Sequence, residues 1–188
     1  MMKILCIGDS NTYGYDPRSF IGSRYPEDVR WTARLNDCSV INAGVNGLTV
    51  PRDASVYAGY VRNNDPGLII VMLGTNDLLE GAGADETAGR MEDFVRSVTE
   101  LGKPVLLIAP PVLQRGDWVT SDGMTAESRL LGPLYREAAA RQNCFFADSG
   151  EWGIEVLFDG VHFSPEGHAV FASELEVILN DISASLTQ

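Results

Sequence analysis

A serine, a histidine and an aspartate in this chain have the types and surroundings for nucleophilic chemistry. Ser10 sits in the turn after a short apolar run, within ILCIGDSNTYG at Ile4 to Gly14, and His162 follows Asp159 by three residues in DGVH. A serine hydroxyl attacks poorly at neutral pH unless a base accepts its proton. Histidine suits that task, and a nearby carboxylate can fix its tautomer and stabilise the imidazolium once it forms. Of the two histidines, His168 falls inside a helical pattern, has no comparable acid partner and reads as structural or solvated. Plainer roles exist for each part: Asp9 or Ser10 can cap the turn through its side-chain oxygen, and His162 can serve packing at a helix start.

Acyl transfer also needs donors aimed at a developing oxyanion. Gly44, in NAGVNG, follows a strand-like run and lets a backbone N–H approach a substrate closely. Asn76, in GTND, follows another and can donate without adding charge. Glycine and asparagine are also ordinary turn residues, so it is their shared position at strand exits that makes them candidates.

These residues need a scaffold that brings strand ends together. Apolar runs recur at Ile4–Ile7, Val40–Asn42, Leu68–Leu73, Val105–Ala109 and Cys144–Ala147, with helical patterns between them. Such alternation predicts an α/β fold with a parallel sheet covered on both faces. The run LIIVML lacks polar alternation and is expected to be the central strand. Met91, Phe94, Val95, Val98 and Leu101 form one helical stripe, closed by Gly102 and Pro104; Phe171, Leu175, Ile178, Leu179, Ile182 and Leu186 form another. Ser164, Pro165 and Glu166 read as N-cap, first helical position and first-turn acid. In open parallel sheets ligands gather outside the carboxyl ends of strands, where Ser10 is expected. Two long loops, Tyr15–Arg30 and Pro110–Thr125, are expected to wall that site.

Composition narrows the classes. The 188 residues, 45% of them apolar, suffice for one core burying roughly 70% of the unfolded surface, so residues 1–188 are expected to form a single domain. With 14 basic against 26 acidic residues the net charge is −12, which disfavours nucleic acid and anionic membranes as partners. Cys6, Cys38 and Cys144 show no CxxC spacing and fit reduced thiols, and Met1–Lys3 leads straight into a strand without a signal-like stretch, so a cytoplasmic location is expected.

Taken together, GDSN at Gly8–Asn11, Gly44 in NAGVNG, GTND at Gly74–Asp77 and DGVH at Asp159–His162 resemble the blocks of the SGNH hydrolase superfamily, also called GDSL-type esterases, across the whole chain. The resemblance implies a three-layer α/β/α sandwich around a flavodoxin-like five-stranded parallel sheet. It implies Ser10 as nucleophile and backbone oxyanion donor, Gly44 and Asn76 as the other donors, and His162 with Asp159 as base and orienter. It further implies hydrolysis of carboxylic esters, with a small-molecule ester as substrate; short acyl chains are expected because only two modest loops and no separate lid domain cover the site, and the two-step mechanism calls for no metal or cofactor. DVRWTARL at Asp28–Leu35 and APP at Ala109–Pro111 are similar to a bacterial arylesterase branch, which adds acyl transfer to alcohols and a homo-oligomer to the expectations. Deacetylation of carbohydrates is the alternative by the same mechanism. Asn11 stands where the commonest first block has leucine, and is expected to alter the pocket floor.

Rival readings use the same residues differently. A non-catalytic flavodoxin-like module could cradle phosphate in SNTYG, which leaves DGVH unexplained. A metal-dependent phosphoesterase could recruit Asp9, Asp77, Asp159 and His162 as hard ligands. A receiver-type signalling domain would need Lys103–Pro104 near the site, but that pair precedes a strand and belongs to the opposite end of the sheet. Among the tryptophans, Trp31, Trp118 and Trp152 are candidates for an aromatic or sugar-binding wall.

Overall fold

A computed structural model describes residues 1–19, 21 and 23–186. Phe20 and Gly22, within the first of the two expected loops, lie outside the described residues. Five strands, β1 (Met2–Gly8), β2 (Cys38–Gly44), β3 (Leu68–Met72), β4 (Val105–Ala109) and β5 (Phe145–Asp148), form one sheet in the order β2-β1-β3-β4-β5. All four pairings are parallel. The helices are α1 (Ser10–Tyr13), α2 (Trp31–Arg34), α3 (Ala58–Asn64), α4 (Thr75–Leu79), α5 (Ala84–Thr99), α6 (Asp122–Arg141) and α7 (Pro165–Leu186), and short 3₁₀ turns cover Ser55–Tyr57 and Ser149–Glu151. The outcome is the expected five-stranded three-layer sandwich.

β3 is central, and all five of its residues are buried, as the unbroken LIIVML run requires. Alternate residues of each strand enter opposite faces of the sheet. Leu5, Ile7, Ile69, Val71 and Leu107 pack with Met91, Phe94, Val95 and Val98 of α5 and Tyr135 of α6. Ile4, Cys6, Ile70, Met72 and Ile108 pack with Trp31, Phe163 and the α7 stripe of Phe171, Leu175, Leu179 and Ile182. Leu186, expected in that stripe, is 45% exposed in the last turn of α7. Cys144 precedes β5 rather than opening it.

Local signals act where expected. Gly102, at φ +75°, follows α5 and precedes Pro104 and β4. Ser164 Oγ accepts the Gly167 N–H at 2.9 Å and starts α7 at Pro165. The second loop is shorter than expected, because Ser121 Oγ accepts the Met124 N–H at 3.3 Å, capping α6 so that Thr125 is already helical.

His168 is fully buried in α7, between Tyr25 and Phe163, with Nδ1 accepting the Trp31 N–H at 3.4 Å. Burial, reinforced by Arg34 and Arg30, pushes its pKa down to about 3. Between that value and the ordinary 6.5 the unfolded chain binds a proton that the native state refuses, so stability falls as pH drops through this window. His168→Gln keeps an acceptor but does not titrate; thermal unfolding followed by circular dichroism is expected to show a flatter loss of Tm from pH 6.5 to 3 in this variant than in wild type.

Candidate active site

The register sets the carboxyl ends of β1, β2 and β3 side by side, with Gly8 opposite Gly44 on one flank and Met72 on the other. Gly8 has no room for a side chain: a Cβ would lie 2.1 Å from Thr12 Oγ1 and 2.9 Å from the Met72 carbonyl. The chain therefore turns tightly into α1. Asp9 caps that turn, accepting the Asn11 N–H at 2.9 Å, and Ser10 becomes the first helical residue. Both roles weighed for this turn coexist, Asp9 capping while Ser10 presents its hydroxyl.

Folding brings His162 to Ser10. Its Nε2 is 2.9 Å from Ser10 Oγ and its Nδ1 2.6 Å from Asp159 Oδ2. A carboxylate only accepts, so the ring proton resides on Nδ1 and the Nε2 lone pair faces the serine hydroxyl. Asp159 Oδ1 accepts the N–H groups of Val161 and His162 at 2.9 and 3.0 Å. Burial works to raise the Asp159 pKa, but the imidazole and these two amides outweigh it and hold the group below the usual carboxylate range. Asp159, His162 and Ser10 are all buried, Ser10 at 6% exposure. The arrangement can move a proton from Ser10 to His162 and support the resulting imidazolium.

Asp159 and His162 ride on a hairpin. Val156 bridges Phe163 in antiparallel fashion, Leu157 N–H donates to the His162 carbonyl at 2.8 Å, and Ser164 N–H donates to Glu155 at 3.0 Å. The loop after β4 clamps it from outside: Gln114, Asp117 and Trp118 N–H donate to the carbonyls of Gly160, Phe158 and Asp159 at 3.0, 3.0 and 3.1 Å. Two glycines make that approach possible. A Cβ on Gly160, already at φ +81°, would lie 2.0 Å from the Gln114 carbonyl oxygen; one on Gly116 would lie 2.4 Å from both Asp159 C and Gly160 N.

Of the oxyanion candidates, Gly44 needs correcting. Its N–H already donates to Asn42 Oδ1 at 2.9 Å, and a Cβ there would lie 2.3 Å from Tyr13 N. Glycine at 44 thus serves the packing of β2 against α1. The following turn offers a different amide: Leu48 N–H bonds Val45 O at 3.2 Å, with Gly47 at φ +74° inside the turn and exposed. Among the described residues nothing accepts from Gly47 N–H or Ser10 N–H. Asn46-Gly47 is a turn signal in the sequence, but nothing local marks it above Gly44. Asn76 Nδ2 donates to Leu48 O at 3.0 Å, so it sits against this same turn with a second amide hydrogen to spare.

Other expectations divide. Asp77 uses one oxygen on Val50 N–H at 3.0 Å and the other on Arg90 at 3.1 Å, tying the loop after β2 to α4 and α5. Among the described residues no cluster of three or more histidine, cysteine, aspartate or glutamate side chains is arranged to hold a metal, so the ligand set of the phosphoesterase reading is not assembled. Asp9 is fully buried, and burial, only partly offset by the Asn11 amide, the electrostatic influence of His162 and the Thr75 hydroxyl, lifts its pKa to about 6. Trp31 is buried against Phe171 and Trp152 packs on the same ring, leaving Trp118 as the tryptophan at the site. Its ring centroid is 5.0 Å from that of His162, and Tyr15, which motif reading passed over, is 4.7 Å away on the same imidazole. Asn11 faces the hairpin rather than a pocket floor, bonding Val161 O and Phe163 N–H at 3.0 Å each.

Comparison with known proteins places the chain in a family. Residues 6–170 match the model of the GDSL-like Lipase/Acylhydrolase family, and the chain belongs to that family. It is similar to the structure of a carbohydrate acetylesterase family member from Sinorhizobium meliloti, with 28% identity, TM-score 0.81, and 95% of this chain and 97% of that one covered. It is also similar to an aryl esterase from M. smegmatis, with 25% identity, TM-score 0.80, and coverage of 96% and 99%. Among curated relatives, thioesterase 1/protease 1/lysophospholipase L1 of Escherichia coli (strain K12) is 27% identical over 110 residues, 56% of this chain and 49% of the relative. The chain thus spans about half the length of the curated relatives it matches. No helix among the described residues is long and apolar enough to cross a membrane.

The interlocked glycines give a direct check on the clamp. Gly116→Ala is expected to push the hairpin off the Trp118 loop, lowering kcat for a small ester at least 10-fold and Tm by several degrees, read by steady-state kinetics and thermal unfolding.

Proposed function

We propose that this protein is a serine esterase that cleaves short acyl esters of ring-bearing alcohols through an acyl-Ser10 intermediate. The observation that carries the reading is the continuous relay from Asp159 through His162 to Ser10, at 2.6 and 2.9 Å. His162 Nε2 takes the hydroxyl proton as Ser10 Oγ bonds to the ester carbonyl carbon, whose oxygen becomes an oxyanion. Its donors are Ser10 N–H, the free hydrogen of Asn76 Nδ2 and Gly47 N–H, the last replacing Gly44. The tetrahedral species collapses, the C–O bond to the alcohol breaks, and the proton on Nε2 passes to the leaving oxygen. Water then repeats the sequence on the acyl-serine, releasing the acid; an alcohol in its place gives transesterification.

Proton delivery fixes which part of the substrate lies where. The leaving oxygen must stand beside His162 Nε2, so the alcohol moiety borders the rings of Tyr15 and Trp118, the latter half exposed. A flat aryl group or the apolar face of a sugar ring suits such a wall. The solved relatives, an aryl esterase and a carbohydrate acetylesterase family member, favour the same two classes. Short acyl chains fit a site whose rings on His162, Tyr15 and Trp118, come from the loops after α1 and β4. The free thiols of Cys6, Cys38 and Cys144 support a reducing, cytoplasmic setting.

Hydrolysis of a p-nitrophenyl ester series is expected to peak at acetyl or propionyl; a peak at long chains rejects the short-acyl claim. Ser10→Ala is expected to abolish both turnover and fluorophosphonate labelling. Asp159→Asn is expected to lower kcat by about three to four orders of magnitude through the wrong tautomer. Equal rates in wild type and Ser10→Ala reject the mechanism. Trp118→Ala is expected to lower kcat/KM for phenyl acetate at least 5-fold more than for ethyl acetate, and an equal loss on both removes the ring wall.

A further inference from the structure

We infer that Asn11 is a positioning residue that sets the direction of the His162 side chain toward Ser10. The inference rests on the serine-esterase reading above and concerns a residue that the relay does not include. Asn11 is the residue after the nucleophile, yet its side chain reaches 150 residues along the sequence to Val161, where Nδ2 donates to the carbonyl at 3.0 Å. Its Oδ1 accepts the Phe163 N–H, also at 3.0 Å. An amide that must donate to a carbonyl and accept from an N–H can be oriented in only one way.

Those two partners are the peptide groups on either side of His162. The Val161 carbonyl belongs to the plane that rotates about the His162 φ, and the Phe163 N–H to the plane that rotates about its ψ. Holding both planes fixes the Cα–Cβ direction from which the imidazole projects. The same planes carry one further bond each, His162 N–H to Asp159 Oδ1 at 3.0 Å and Leu157 N–H to the His162 carbonyl at 2.8 Å. Both of these are internal to the hairpin. They shape it, but they do not say where it sits relative to α1.

Asn11 supplies that reference because it is itself immobilised. Its N–H is bound by Asp9 Oδ1 at 2.9 Å, its carbonyl accepts Trp31 Nε1–H at 3.0 Å, and the residue is buried. The nucleophile turn and the base hairpin are thereby joined one residue from Ser10 and one residue either side of His162. Tyr25 OH, donating to the Phe163 carbonyl at 3.1 Å, and the Gln114–Trp118 loop also hold the hairpin, so loss of Asn11 is expected to loosen the alignment without unfolding the chain. The leucine noted at this position in the commonest first block can form neither bond.

Asn11→Leu and Asn11→Asp test this; the carboxylate keeps the acceptor for Phe163 N–H but cannot donate to Val161 O. The measurements are kcat and KM for p-nitrophenyl acetate, the rate of Ser10 labelling by a fluorophosphonate, and the downfield proton resonance of His162 Nδ1–H. Misplacement near 1 Å can cost about 100-fold in rate. The expected result is a fall of 10- to 100-fold in kcat with KM within about 2-fold, a parallel fall in labelling, and broadening of the downfield resonance in protein that remains folded by circular dichroism. Unchanged kcat and labelling overturn the inference, and so does a rise in KM at constant kcat, which would assign Asn11 to substrate binding. If Asn11→Leu does not fold, Asn11→Asp decides by the same readouts. Wild-type protein that resists the fluorophosphonate overturns the serine mechanism itself, a different failure from equal labelling of all three proteins.

Discussion

Asp159 is the group on which the rest of the site depends. One of its oxygens gathers the N–H groups of Val161 and His162 and so folds the tip of the hairpin; the other receives the imidazole proton. A single buried carboxylate therefore sets both the backbone that carries His162 and the tautomer of its ring. An ionised carboxyl is costly to bury unless it is hydrogen-bonded, and here three donors serve it. The bonds favour the charged form over its burial penalty, so the negative charge that supports an imidazolium is present without being exposed to water.

The sheet contributes by alignment. Parallel pairing puts Gly8, Gly44 and Met72 at one level, so that the turns after three different strands converge on one rim. Convergence requires backbone to approach backbone. Gly8 against Thr12 and the Met72 carbonyl, Gly44 against Tyr13, and the Gly116 and Gly160 pair are the places where a side chain would keep the turns apart. These glycines are thus explained by contact distances, while the polar motif residues divide between the Ser10–His162–Asp159 relay and tying loops to one another. Asp77, both oxygens spent on Val50 and Arg90, belongs to the second kind.

Aromatic rings complete the site from loops that the motifs do not include. Tyr15 follows the short α1, and Trp118 comes from the loop after β4, whose backbone pairs with the hairpin. The same hydrogen bonds that steady Asp159 therefore also bring Trp118 against His162, so that one loop both holds the hairpin and sets a ring beside the imidazole. The other two tryptophans are used in the core against Phe171.

The strands themselves, the central place of LIIVML, the Ser164–Pro165 helix start and the Asp159–His162 frame were legible because each depends on residues close in sequence: a hydrophobic run, a cap, a three-residue turn. What folding alone decided involves partners far apart. Gly44 and Gly47 look alike as turn glycines until Asn42 Oδ1 is seen to occupy the first amide. Trp118 is distinguished from Trp31 and Trp152 only by the ring it meets, His162 rather than Phe171. Asn11 reads as a bland substitution until its amide meets two peptide groups some 150 residues away. Sequence determined the local frames and the reactive residue types, since periodicity and capping are short-range; tertiary structure decided which amides remain free and which side chains meet, since that is set by the packing of turns from separate strands.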